Sequence, residues 1–277
     1  MVGGGYSRGM TTATPSHECW SYDDHQTLDE YATEFLRAGL AAGERVWYVP
    51  GPRSRTVADW LRSASQSARP DSARIIVRQD AYTAGLVVDP AEQIATYAAV
   101  TQAALADGFT GFRVVADVTA LVRTPEQRDA FARYEYTIGR YMRVAPMRAL
   151  CTYDRRELGA RVVDSLACLH ETSHASELTF QLYAGLTRAE TVLDGELDMA
   201  TEDLFSDALW RTDLDPAGGE VTVDARGLRF IDHGSLLAVQ RYARTRQITA
   251  VVRTGLSSAV RLAELLELPN VRVEMVQ

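Results

Sequence analysis

His17-Glu18-Cys19-Trp20-Ser21-Tyr22, then Leu28–Leu40, then Arg45-Val46-Trp47-Tyr48-Val49 decide the fold. The first run is short and rich in strand-forming residues. In the second, Leu28, Tyr31, Ala32, Phe35, Leu36 and Leu40 recur at three- and four-residue steps, the apolar stripe of one helix, with Gly39 and Gly43 near its stop. The third run is another strand, broken by Pro50-Gly51-Pro52. Strand, helix, strand in this order is the unit of a parallel sheet covered by helices.

Outward from this unit the pattern repeats. Helices are expected near Thr56–Ser65, Ala91–Ala106, Glu126–Met142 and Arg156–His170, and strands at Arg74–Val77, Phe112–Val115 and Arg148–Tyr153. The sum is a doubly wound, mostly parallel layer of five strands over residues 15–172. Residues 1–14, rich in Gly, Ser and Thr, read as a flexible leader, and 173–176 as a short polar linker. After it the pattern changes, because Leu178–Tyr183 and Glu190–Leu193 are two strand-like runs with no helix between them. Residues 177–277 are therefore read as a second, smaller α/β domain with a mixed sheet. Its remaining elements are helices Ala200–Trp210, Gly234–Ala243 and Ser257–Leu266 and strands Glu220–Val223, Thr249–Val252 and Val271–Met275.

Composition narrows the function. All 29 basic residues are arginine, so no side-chain amine can form a Schiff base or reach nucleotide phosphates as a P-loop lysine does. No GxSxG elbow is present either, and a non-enzymatic protein is expected. A net charge of −8 without a basic stripe argues against direct nucleic-acid binding. No run approaches the roughly 18 apolar residues of a membrane span, and no secretory signal is visible, so the expected location is the cytoplasm, without membrane attachment. Cys19, Cys151 and Cys168 are odd in number and lack CxxC spacing, which fits reduced packing thiols. His17, Cys19, Cys168 and His170 show no ligand-pair spacing, so no metal site is expected. An acid/base pair of Asp117 and Glu135 is weak for the same lack of supporting pattern.

In open parallel sheets, ligands bind beyond the carboxyl ends of the strands. That rule nominates Tyr22 and Asp23, Pro50 and Gly51, Arg78 and Gln79, Asp117, Tyr153 and Asp154; Arg53 and Arg55, in the loop Gly51–Thr56 where a P-loop would run, and His17 are further ligand-binding candidates.

Two sets of segments resemble known families. His17–Tyr22, Gly39-Leu40-Ala41-Ala42-Gly43-Glu44-Arg45-Val46, Leu150-Cys151-Thr152-Tyr153-Asp154 and His170 together resemble the MEDS sensory domain over about residues 15–172. That resemblance implies a RecA-like α/β fold and detection of a small molecule, with hydrocarbon derivatives suggested for the family's namesake regulator; the ligand and any cofactor stay unknown. Val192-Leu193-Asp194-Gly195-Glu196-Leu197-Asp198, and Val221-Thr222-Val223-Asp224 leading into Phe230-Ile231-Asp232-His233-Gly234, resemble the STAS domain of anti-sigma-factor antagonists. This second resemblance implies docking onto an anti-sigma factor or another kinase-like regulatory protein, with phosphorylation as the release signal. The surface it assigns to the partner is Asp232, His233, Gly234, Ser235 and Leu236.

The chain departs from the STAS pattern at its centre. With Asp232 aligned on the motif aspartate, Gly234 stands where the phosphoacceptor serine is expected. Ser235 lies one residue on, turned about 100° around a helix, and is the one nearby hydroxyl for a phosphate. Regulation without the usual phosphoserine switch is therefore expected. The alternative is an interaction scaffold whose first domain has lost ligand sensing. Self-association into a homo-oligomer stays open.

Overall fold

The structure, a computed structural model, describes residues 17–52, 55–67, 69–82, 87–174, 178–212 and 214–276. The leader expected at 1–14, Arg53 and residues 175–176 of the expected linker lie outside them. In chain order the first unit contains β1 (His17–Tyr22), α1 (His25–Ala41), β2 (Arg45–Val49), α2 (Thr56–Ser67), β3 (Ala73–Ile75), α3 (Arg78–Ala81) and α4 (Pro90–Ala106). It continues with β4 (Phe112–Asp117), a 3-10 turn at Thr119–Leu121, α5 (Pro125–Met142), β5 (Met147–Asp154), α6 (Arg155–Leu158), α7 (Ala160–Ala167) and β6 (Thr172–Ser173).

The sheet has six strands in the order β3-β2-β4-β5-β1-β6, every pair parallel. The sixth, β6, pairs Thr172 and Ser173 with Glu18 and Cys19, so the polar stretch begins as an edge strand. The single helix expected over 156–170 is two, separated at Gly159, which caps α7 at φ 79°.

Alternation along the strands sends side chains to two different faces. Tyr22, Val46, Tyr48, Val115 and Leu150 pack under Leu28, Phe35 and Leu36 of α1 and Val57 and Leu61 of α2. Cys19, Val114, Ala116, Cys151 and Tyr153 face Tyr97 of α4, Phe131 of α5 and Leu166 of α7. Helix entry is fixed by capping: Asp24 accepts from the Gln26 and Thr27 N–H groups, and Thr124 and Gln127 form a reciprocal capping box on α5.

The second unit contains β7 (Phe180–Ala184), β8 (Glu190–Leu197), α8 (Glu202–Arg211), β9 (Glu220–Asp224), β10 (Leu228–Ile231), α9 (His233–Thr245), β11 (Thr249–Thr254), α10 (Ser257–Leu266) and β12 (Val271–Met275). β7 runs antiparallel to β8, and all other pairs are parallel. One edge of β8 takes both β9, at Glu190–Val192, and β10, at Gly195–Leu197, so these two act as one interrupted strand. Gly195 pairs with Phe180 on one side and Leu228 on the other, has φ 99°, and leaves no room for a Cβ against the Thr179 carbonyl. Asp198 then accepts from the Ala200 and Thr201 N–H groups, the turn chemistry that launches α8.

The units share one core. Phe180, Leu182, Phe205 and Leu209 belong to the same apolar cluster as Phe131 and Leu166. Across the junction the Leu182 N–H donates to the Cys168 carbonyl at 2.7 Å, the Tyr136 hydroxyl to the Glu190 carbonyl at 3.4 Å, and Arg211 pairs with Asp129 at 3.0 Å.

Candidate functional site

The carboxyl ends of β1, β4 and β5 open into a crevice of about 350 Å³ lined by Tyr22, His25, Asp117, Thr119, Arg123, Asp154 and Arg156, among others. Tyr22 and Asp117 are both buried, and the Tyr22 hydroxyl donates to Asp117 Oδ2 at 2.6 Å while the Thr119 N–H donates to Oδ1 at 3.1 Å. Burial pushes the Asp117 carboxyl above its ordinary range, against the pull of those hydrogen bonds. Gly51 is required beside it, because any Cβ there would run into the Asp117 carboxylate.

The rim is richer in charge. Asp154 caps α6 through the Arg156 and Glu157 N–H groups at 3.0 and 3.3 Å, and Arg123 pairs with Glu157 at 2.5 Å. The Arg156 guanidinium lines the same rim and acts on the Asp24 carboxylate, and the buried Nδ1 of His25, whose ring lies 5.0 Å from that of Tyr22, has no hydrogen-bond partner among the described residues. A small polar molecule entering here meets a cation, an imidazole nitrogen and a buried carboxyl.

Of the residues nominated from sequence, Tyr22, Asp23, Asp117 and Asp154 line this crevice; Arg55 is exposed and does not. His17 and Tyr153 are elsewhere, a correction with a simple cause. His17 stands five residues before Tyr22 at the other end of β1, about 16 Å away along a strand. Tyr153 precedes Asp154 by one residue and so points to the opposite face of β5.

On that opposite face lies a second cluster. His17, Glu135, Cys151 and His170 are all fully or nearly fully buried, with one ligand-type atom from each within 4.8 Å of every other. His17 Nε2 is 2.8 Å from Glu135 Oε2, Cys151 Sγ is 3.5 Å from the same oxygen and 3.7 Å from His17 Nε2, and the Tyr153 hydroxyl donates to Glu135 Oε1 at 2.8 Å. Burial pushes Glu135 toward its neutral form, but the two imidazoles outweigh it and hold the carboxyl well below the usual range. Burial and His170 push His17 the other way, below its ordinary value, and burial with the Glu135 charge raises the Cys151 thiol. Sequence spacing does not reveal this set, since its members come from β1, α5, β5 and the end of α7. Asp117 and Glu135, weighed as a pair from sequence, sit on opposite faces of the sheet.

In the second unit Asp232 caps α9, accepting from the Ser235 N–H at 2.8 Å. Within the nominated surface His233 is exposed and Asp232 half-buried, whereas Gly234, Ser235 and Leu236 are buried. A side chain at 234 would collide with the Glu202 carboxylate, which also pairs with Arg241 at 3.4 Å. Ser235 is fully covered, and its hydroxyl has no hydrogen-bond partner among the described residues. Exposed apolar groups near this end of the sheet are Phe230 and Met199.

No helix among the described residues is long and apolar enough to cross a membrane. No curated protein matches the chain. A solved structure titled "Structure of the Anti-Sigma Factor Antagonist SpoIIAA in its Unphosphorylated Form" is similar at 17% identity and a TM-score of 0.27, covering 35% of this chain and 88% of its own. The family model described as MEDS, "MEthanogen/methylotroph, DcmR Sensory domain", matches residues 16–171, which run from β1 through α7 and include both residue clusters, and the chain belongs to that family.

Proposed function

We propose that the protein is a non-catalytic regulator in which a small polar molecule occupies the crevice of the first unit and the second unit docks onto an anti-sigma factor or a related kinase-like protein. The observation that carries the reading is the crevice itself, which brings Arg156 and the unpartnered His25 Nδ1 together with the buried Tyr22–Asp117 pair at the strand ends where parallel sheets bind ligands. Docking by the second unit rests on the STAS resemblance of its two motifs. It proceeds without a phosphoserine switch, because position 234 offers no hydroxyl and is overlain by the Glu202 carboxylate, and Ser235 is closed to a kinase in this conformation. The docking face then consists of the exposed His233, Phe230 and Met199 rather than the buried Gly234, Ser235 and Leu236.

The test is a thermal-shift screen of the full chain against small carboxylates, amides, alcohols and halogenated hydrocarbons. A ligand at a hundredfold excess over its Kd stabilises by about 2.7 kcal/mol, and the shift should vanish in Asp117→Asn and Arg156→Gln. Shifts that survive both substitutions, or no shift across the screen, would refute the sensing half.

A further inference from the structure

The geometry points to a buried, closed site for one divalent transition-metal ion of the zinc class, held by His17 Nε2, His170 Nε2, Glu135 Oε2 and Cys151 Sγ. Four ligands at the usual 2.0 to 2.3 Å from a tetrahedral zinc stand about 3.3 to 3.8 Å from one another. Three of the separations already fall there: 3.5 Å for His170–Glu135, 3.5 Å for Cys151–Glu135 and 3.7 Å for Cys151–His17. Of the other three, His17–Glu135 at 2.8 Å is a hydrogen-bond length that opens by about half an ångström when the ion replaces the proton, and the separations from His170 to His17 and to Cys151 lie within 4.8 Å.

The decisive group is His170. Its Nδ1 lies 3.1 Å from the Leu166 carbonyl, which can only accept, so Nδ1 carries a proton. Its Nε2 is buried, without a hydrogen bond among the described residues, and aimed at Glu135 Oε2 at 3.5 Å. An ion placed between these two atoms takes the imidazole and the carboxylate together as ligands. A backbone carbonyl fixing one imidazole nitrogen while the other faces a metal is the usual support for a histidine ligand, and the Tyr153 hydroxyl supports Glu135 in the same way.

Charge closes as well. The Cys151 thiol proton leaves, and any proton on the two Nε2 atoms is displaced. One carboxylate and one thiolate then neutralise a divalent ion, leaving an uncharged centre under the sheet. One thiolate with two imidazoles suits zinc over magnesium or calcium, and four protein ligands with no open position make the site structural, tying β1, α5, β5 and the end of α7 together.

The experiment is elemental analysis of the purified full chain, followed by refolding of metal-stripped protein with Co²⁺ or Zn²⁺. One equivalent of metal is expected, and the Co²⁺ form should show a thiolate-to-cobalt charge-transfer band. Cys151→Ser should lose that band, while Cys19→Ser, a neighbouring buried thiol outside the ligand set, should keep it. Tyr153→Phe should bind about 10- to 100-fold more weakly. His170→Gln, monitored by circular dichroism so that loss of fold is not mistaken for loss of metal, should bind less than one equivalent while folded. Natively folded wild-type protein that takes up no stoichiometric metal after refolding, or a charge-transfer band that persists in Cys151→Ser, would overturn the site.

Discussion

The Tyr22 hydroxyl donates to Asp117 Oδ2 at 2.6 Å across the floor of the crevice, joining the last residues of β1 and β4 although β5 runs between them. A hydrogen bond to a carboxylate is worth about 1.5 to 3 kcal/mol. Tyr22→Phe should therefore lower unfolding stability by that amount, read as a fall in urea midpoint at unchanged slope.

Asp117 sets a pH dependence of definite sign. Its carboxyl titrates higher in the folded protein than the ordinary 3.8, so the folded state binds the proton more tightly than the unfolded chain. This residue's contribution to stability is largest below the unfolded value and is lost as pH rises through the folded one. Wild type compared with Asp117→Asn by urea unfolding should lose relative stability as pH rises above about 4. A flat difference over that range would show that burial does not control the group.

Asp232 is the sole side-chain cap of α9, and Asp232→Ala should cost about 1 kcal/mol, within 0.5 to 2. The loss should appear in denaturant midpoints while the far-ultraviolet spectrum stays that of the wild type.

Gly234→Ser places a hydroxyl at the phosphoacceptor position and drives its Cβ against Glu202. Overpacking of this kind costs about 1 to 3 kcal/mol, and Glu202→Ala should restore most of it in the double variant. A double-mutant cycle by chemical denaturation measures the coupling, and additive effects would place Glu202 elsewhere in solution.

The opening strand–helix–strand unit was legible because Leu28 to Leu40 keep one phase through three turns and Val46–Val49 is a continuous apolar run stopped by Pro50-Gly51-Pro52. β6 and β10 were not. β6 has two residues and exists only through its bonds to β1, and β10 is cut from β9 by the break at Ala225–Gly227, so neither carries a pattern of its own. Tyr22, Asp117 and Asp154 were found because strand ends are visible in sequence. His25 belongs to the crevice but sits in the first turn of α1, where it reads as an ordinary helical residue. The buried quartet had no signal at all, because Glu135 and His170 reach Cys151 only after α5 and α7 fold over the sheet.

The junction between the units sets the order in which a growing chain can finish folding. Leu182 hands its N–H to the carbonyl of Cys168, two residues from His170, and Phe180, Phe205 and Leu209 complete the apolar layer over Phe131 and Leu166. The first unit therefore emerges from the ribosome with the outer sides of α5 and α7 uncovered, and β7 and α8 must follow before they are closed over. At about 5 to 20 residues per second, the exposed interval lasts seconds, long enough for a chaperone to hold the nascent first unit until its cover arrives.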